Sequence, residues 1–127
     1  MVWSCLVSIL PGMAQTEKLT DYVNPFVGTD GYGNVYPGAQ IPFGGIQISP
    51  DTDSRFYDAA SGYKYNHLTL MGFSLTHLSG TGIPDLGDFL FIPGTGEMKL
   101  EPGTHEDPDQ GYRSRYSHDK EWASPNC

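Results

Sequence analysis

The chain has 127 residues and a net charge of −8, from 15 Asp and Glu against 7 Lys and Arg. That length gives room for one domain. The lack of clustered cations excludes nucleic-acid binding, because phosphate contacts need grouped Lys and Arg. Sixteen glycines and ten prolines make up about a fifth of the chain, against roughly 12% in an average protein. Eight Tyr, six Phe and two Trp accompany them. Many turns with many aromatics favour short strands and long loops over helices. The aromatics also offer enough burial to argue against a disordered chain.

Residues 1–15 read as part of an export signal. Val2 to Leu10 is an apolar run, and small residues follow at Gly12 and Ala14. The positively charged opening of a signal peptide is missing, and a buried strand is the plain alternative. The expected location is secreted or periplasmic. Cys5 would carry the lipid of an outer-surface lipoprotein, although the residues before it fit that role poorly. Cys5 and Cys127 stand at the two ends and lack metal-ligand spacing, so neither suits a structural disulfide. No other stretch is long enough for a membrane span.

Residues 16–127 read as a single domain with few helical periodicities. Gly44 to Ser49 alternates apolar and polar residues and predicts a strand stopped by Pro50. Tyr63 to Tyr65 alternates in the same way. Leu68 to Leu75 predicts a mostly apolar strand whose Gly72 marks a bulge or a close backbone contact. Asp88 to Ile92 predicts another, ended by Pro93-Gly94. Glu97 to Leu100 and Tyr112 to Tyr116 are weaker candidates. Short strands separated by turn signals predict an all-β sandwich or barrel.

Two long glycine-rich segments interrupt these strands, Val27 to Ala39 and Thr76 to Asp88. Irregular stretches of this length in a compact domain are often functional. The first lacks the GxxxxGK[ST] pattern of a phosphate loop and the third glycine of a dinucleotide site. Asp51-Thr52-Asp53 begins like a calcium loop but lacks the later glycine and glutamate, so it reads as a turn with Asx caps. His77, Ser79, Asp85 and Asp88 fall within a dozen residues. No GxSxG elbow surrounds Ser79, which disfavours a nucleophilic triad. At a sheet rim, ring nitrogens and short carboxylates suit sugar hydroxyls, which want paired donors and acceptors. Two carboxylates could also serve as the acid and base of a glycosidase, but fifteen acidic residues offer no way to choose a pair.

Four collinear blocks carry a resemblance. They are Asp21 to Thr29, Tyr36 to Gly44 running on to Thr52, Gly72 to Gly82 with Pro84 to Asp88, and Tyr112 to His118 with Ala123-Ser124-Pro125. Together they resemble the N-terminal domain of glycoside hydrolase family 92, α-mannosidases of the bacterial exo-α-1,2-mannosidase type. The resemblance implies an antiparallel β-sandwich of the galactose-mutarotase-like, or supersandwich, type. Here it would be incomplete at the C-terminus and followed in the family by a helical barrel. It implies a calcium-dependent, inverting hydrolase acting on terminal α-mannose of mannose-containing glycans. In that family the acid, the base and most calcium ligands lie in the barrel, so no catalytic or metal residue is expected here. The residues implied to wall the sugar pocket are His77, Ser79, Gly80 and Asp85, with Asp88 supporting them from behind. Ile83 departs from the family, which often has cysteine there, and the sequence stops where the pattern continues.

Two other readings stand beside this one. The chain could be a stand-alone carbohydrate-binding module, or a subunit pairing with a separately encoded barrel. A sandwich without its later strands would expose an apolar face and unpaired edges. Expressed alone, the chain is therefore expected to be unstable or aggregated. Size-exclusion chromatography with urea unfolding checks this, and a monomer that unfolds cooperatively would contradict it.

Overall fold

The computed structural model describes residues 17–53, 57–80, 82–84 and 87–120. The expected export segment and the tail after Lys120 lie outside the described residues, as does Asp85. Among the described residues there are five short strands: β1 (Ser49–Asp51), β2 (Thr69–Leu70), β3 (Gly72–Ser74), β4 (Leu90–Phe91) and β5 (Ser114–Arg115). Three single 3-10 turns accompany them, at Leu19–Tyr22, Tyr57–Ala59 and Pro108–Gln110. All strand pairs are antiparallel. One sheet has the order β1-β3-β4 and the other pairs β2 with β5. The fold is all-β, as the sequence predicts. No helix among the described residues is long and apolar enough to cross a membrane.

The strands begin and end elsewhere than expected. Pro50 does not stop the first strand; it lies inside β1, opposite Phe73. The strand order explains why: β1 is an edge, where proline's missing N–H interrupts no inner ladder. The expected continuous strand from Leu68 to Leu75 breaks at Met71. Its first half joins β5 and its second half joins β1 and β4. The Met71 N–H leaves its own strand to donate to the Asp51 carbonyl at 2.7 Å. Gly72 then takes φ +151°, and a Cβ there would stand 2.7 Å from the Phe91 carbonyl oxygen. The chain thus turns a corner from one sheet into the other. Tyr63 to Tyr65 forms no strand, because the Tyr65 N–H bonds the Thr29 carbonyl of the first glycine-rich segment at 2.9 Å. Glu97 to Leu100 forms none either.

Polarity is divided unusually between the faces of the larger sheet. Ser49 and Asp51 of β1 and Ser74 of β3 are buried. The alternate residues, Pro50, Phe73 and Phe91, stand opposite one another across the three strands. Phe73 is 40% exposed and Phe91 59%. Ile46 and Ile48, just before β1, are exposed as well. The inward side of β1 and β3 is therefore polar, with Leu90 of β4 at its edge, and the outward side of the sheet is apolar. Contiguous apolar surface of this kind is uncommon on a monomer, and a sheet face stays open only until a second layer packs on it.

The Gly72 corner gives a direct test. Gly72→Ala should destabilise the chain by about 2 kcal/mol, because the added Cβ meets a backbone carbonyl and the φ angle is unfavourable for an L side chain. A rate of limited proteolysis unchanged from the parent chain would contradict this.

Candidate functional site

The buried side of the larger sheet holds an ion pair built from neighbouring strands. Alternation along β1 turns Ser49 and Asp51 inward, and β3 places Ser74 beside them. Three residues beyond Ser74, the chain delivers His77, which is only 4% exposed. His77 Nδ1 donates to the Gln47 carbonyl at 2.7 Å. His77 Nε2 donates to Asp51 Oδ1 at 2.9 Å, with Ser74 Oγ also 3.0 Å away. A carbonyl and a carboxylate both accept only, so each ring nitrogen needs a hydrogen and the ring is held as imidazolium. Burial works against that charge, but the Asp51 carboxylate and the Gln47 carbonyl outweigh it, and the His77 pKa is raised. The Tyr36 ring lies 5.0 Å from the imidazole, centroid to centroid, within cation–π range. Gly62, at φ +90°, closes the pair from the other side. A Cβ there would fall 2.1 Å from Asp51 Oδ1.

A second network continues from Asp53, which is fully buried. His105 Nε2 donates to Asp53 Oδ2 at 3.1 Å, and the Arg113 guanidinium lies 3.9 Å from the same oxygen. Arg113 also donates to the Thr52 carbonyl and, at 3.3 Å, to Thr69 Oγ1. The Thr69 hydroxyl donates to His105 Nδ1 at 2.7 Å. Arg113, Thr69, His105 and Asp53 thus form a closed circuit that joins the segment leaving β1 to strands β2 and β5. His67 Nδ1 meets Thr52 Oγ1 at 3.0 Å, and its ring sits 4.3 Å from that of His105.

The second glycine-rich segment rises from this base as a loop with a closed neck. The Gly87 N–H donates to both the Thr76 carbonyl at 3.0 Å and Thr76 Oγ1 at 3.2 Å. The Thr76 hydroxyl in turn donates to Asp88 Oδ2 at 2.8 Å. Beyond the neck, Ser79 and Gly80 are exposed. The Gly80 N–H donates to the Asn34 carbonyl at 2.7 Å and so ties the two glycine-rich segments together.

The residues expected at a sugar pocket therefore occupy different levels. Ser79 and Gly80 are exposed side by side on the loop. His77 faces inward at its base with both ring nitrogens engaged, and Asp88 is exposed at its neck. Asp85 lies outside the described residues. Sequence reasoning missed Asp51, Asp53, His105 and Arg113. A signal was present: continuing the β1 alternation puts Ser49, Asp51 and Asp53 on one side, whereas an Asx turn would face solvent.

Calcium takes six to eight oxygen ligands, and no group of three or more His, Cys, Asp or Glu able to hold a metal occurs among the described residues. Asp51 and Asp53 are already engaged by His77, His105 and Arg113. The described residues do not fit a calcium centre.

Residues 22–127 match the family model described as the glycosyl hydrolase family 92 N-terminal domain. A protein of Arthroderma benhamiae, described as an uncharacterized secreted glycosidase, is 36% identical to the chain over 73 residues. That match takes in 57% of the chain and 9% of the relative, so the chain spans a small part of the relative's length.

The ion pair makes stability depend on pH. A raised His77 pKa contributes stability in full below the unfolded value of about 6.5, and loses it as pH rises through the folded value. The melting temperature should therefore fall as pH rises from 6 to 9. Asp51→Asn should flatten that fall, and Asp51→Ala should cost about 3 kcal/mol by leaving a buried charge unpaired. Thermal melts across this range, taken on the chain joined to a family 92 barrel domain, check both, and an equal pH dependence in parent and Asp51→Asn would refute the pairing.

Proposed function

The chain belongs to glycosyl hydrolase family 92, and on that basis we propose that it is the sugar-facing wall of a secreted, calcium-dependent exo-α-mannosidase. The observation that carries this reading is the pinned loop. Its base is locked by the His77–Asp51 pair, its neck by Thr76 and Asp88, and its crest by the Gly80–Asn34 bond. Ser79 and Gly80 are thereby presented to solvent on a backbone with little freedom to move. Preorganised polar groups of this kind bind a ligand without first losing chain entropy.

In this reading Ser79 offers a hydroxyl that both donates and accepts, matching a sugar hydroxyl. Asp85 sits on the same loop in sequence and supplies an acceptor. Asp88 holds the neck, and His77 acts as the buried anchor. Inverting hydrolysis needs a carboxylic acid and a carboxylate about 6.5–9.5 Å apart around the scissile bond. The buried carboxylates Asp51 and Asp53 are committed to internal cations and point away from solvent, so neither is the acid or base. Both catalytic groups and the calcium ligands belong to a helical barrel domain, and mannose-containing glycans are the substrate. The relative described as a secreted glycosidase supports an exported hydrolase.

The chain alone should release no mannose from an α-1,2-mannobioside, with or without calcium. Joined to a family 92 barrel domain it should support calcium-dependent release, and Ser79→Ala should raise KM about 3- to 10-fold with kcat little changed, as expected when binding is lost equally from ground and transition states. Release by the chain alone would overturn the placement of acid and base elsewhere. An unchanged KM in Ser79→Ala would overturn the role of the loop.

A further inference from the structure

The Asp53–Arg113 circuit has no part in the loop just described, yet it is the most deeply buried charged pair among the described residues. Its exposed end is His105, and there the surface opens into a depression of about 240 Å³ lined by Asn66, His67, Leu68, Thr69, His105 and Glu106. The walls are mainly apolar. Leu68 is 64% exposed, and the His67 and His105 rings lie 4.3 Å apart at 51°. His105 has both nitrogens engaged, by Asp53 and Thr69. It therefore offers a visitor its ring face and no lone pair. His67 is pinned through Nδ1 to Thr52.

Two exposed polar side chains stand among the lining residues. Asn66 carries an amide that donates and accepts. Glu106 carries a carboxylate whose pKa is lowered by its own backbone N–H and the Thr104 hydroxyl, so it stays ionised and accepts only. That charge disfavours phosphates and other anions. The engaged nitrogens of His105 disfavour metal coordination. The combination left is an apolar, aromatic wall with one donor–acceptor pair at its lip. It suits a neutral ring whose C–H face stacks while its hydroxyls meet Asn66 and Glu106. The volume lies below the roughly 300–1,000 Å³ of sites for larger ligands, which limits the occupant to about one sugar residue.

We propose that this depression is a second carbohydrate contact, separate from the Ser79–Gly80 loop, that takes a single pyranose residue of a neutral glycan. The buried circuit then has a function: Arg113, Thr69 and Asp53 fix the tautomer and tilt of His105, so that the stacking wall is rigid before the sugar arrives. The site does not depend on the loop reading, and the two can fail independently.

Saturation-transfer NMR on the 127-residue chain tests this, and it tolerates self-association because it observes the ligand. The probes are methyl α-D-mannopyranoside and the open-chain polyol D-mannitol. The pyranoside should take up saturation through its ring C–H protons, with millimolar affinity, and mannitol should take up far less. Asn66→Ala and Glu106→Gln, both at exposed positions, should each remove more than half of the effect, while Met98→Ala, exposed and outside both sites, should leave it unchanged. Equal saturation of mannitol, or no transfer to the pyranoside, would overturn the site. Loss of transfer in Ser79→Ala alone would place the sugar on the loop, leaving the family reading intact and this inference wrong.

Discussion

The described structure depends on charges that are buried together and cannot be separated cheaply. His77 with Asp51, and Arg113 with Asp53, lie where a small domain would normally hold leucine and valine. Among the described residues the buried apolar side chains are few: Tyr36, Ala59, Ala60, Tyr63 and Met71. Buried ion pairs contribute little net stability compared with apolar packing. Breaking one, however, leaves an uncompensated charge in a medium of low dielectric, which is far more costly. Such a network selects one arrangement strongly while stabilising it weakly. Its geometry therefore reads as a positioning device, holding the base of the glycine-rich loop at one end and the His105 ring at the other.

This arrangement follows from the inverted sheet. Asp51, Ser49 and Ser74 turn inward, and Pro50, Phe73 and Phe91 turn outward on the same three strands. The apolar half of the hydrophobic drive is thus unsatisfied by the chain's own fold. A domain with a polar interior and an apolar exterior gains its main burial only when a second layer covers the outer face. The chain matches the family's N-terminal domain model and spans a small share of the relative's length.

Buried and exposed chemistry are separated within a few residues. The segment from Gly72 to His77 contributes a strand, a buried hydroxyl and a buried imidazolium. Ser79 and Gly80 follow at once in solvent, bridged to Asn34 by a single backbone hydrogen bond. Glycine is required at the crest because Gly80 adopts φ +78°, a conformation unfavourable for other residues. A stiff base with a glycine-permitted crest is how a scaffold presents backbone groups to a ligand.

The all-β class, the family and the two glycine-rich segments were legible along the chain. These rest on local properties: turn residues, alternation and collinear motifs. The sequence also marked Gly72 as a place where something approaches closely. Which residues meet became visible in three dimensions alone. Asp51 looked like a turn residue because its partner, His77, is 26 positions away. Asp53 gave no sign of Arg113, 60 positions on. The Leu68 to Leu75 run looked like one strand, because alternation does not reveal that Met71 bonds the Asp51 carbonyl and sends the chain into another sheet. His77 was expected at the sugar pocket from its residue type and motif, and the direction of its ring is set by a carboxylate on a neighbouring strand. Local pattern fixes what a segment can be; the pairing of distant charges fixes which way each side chain faces.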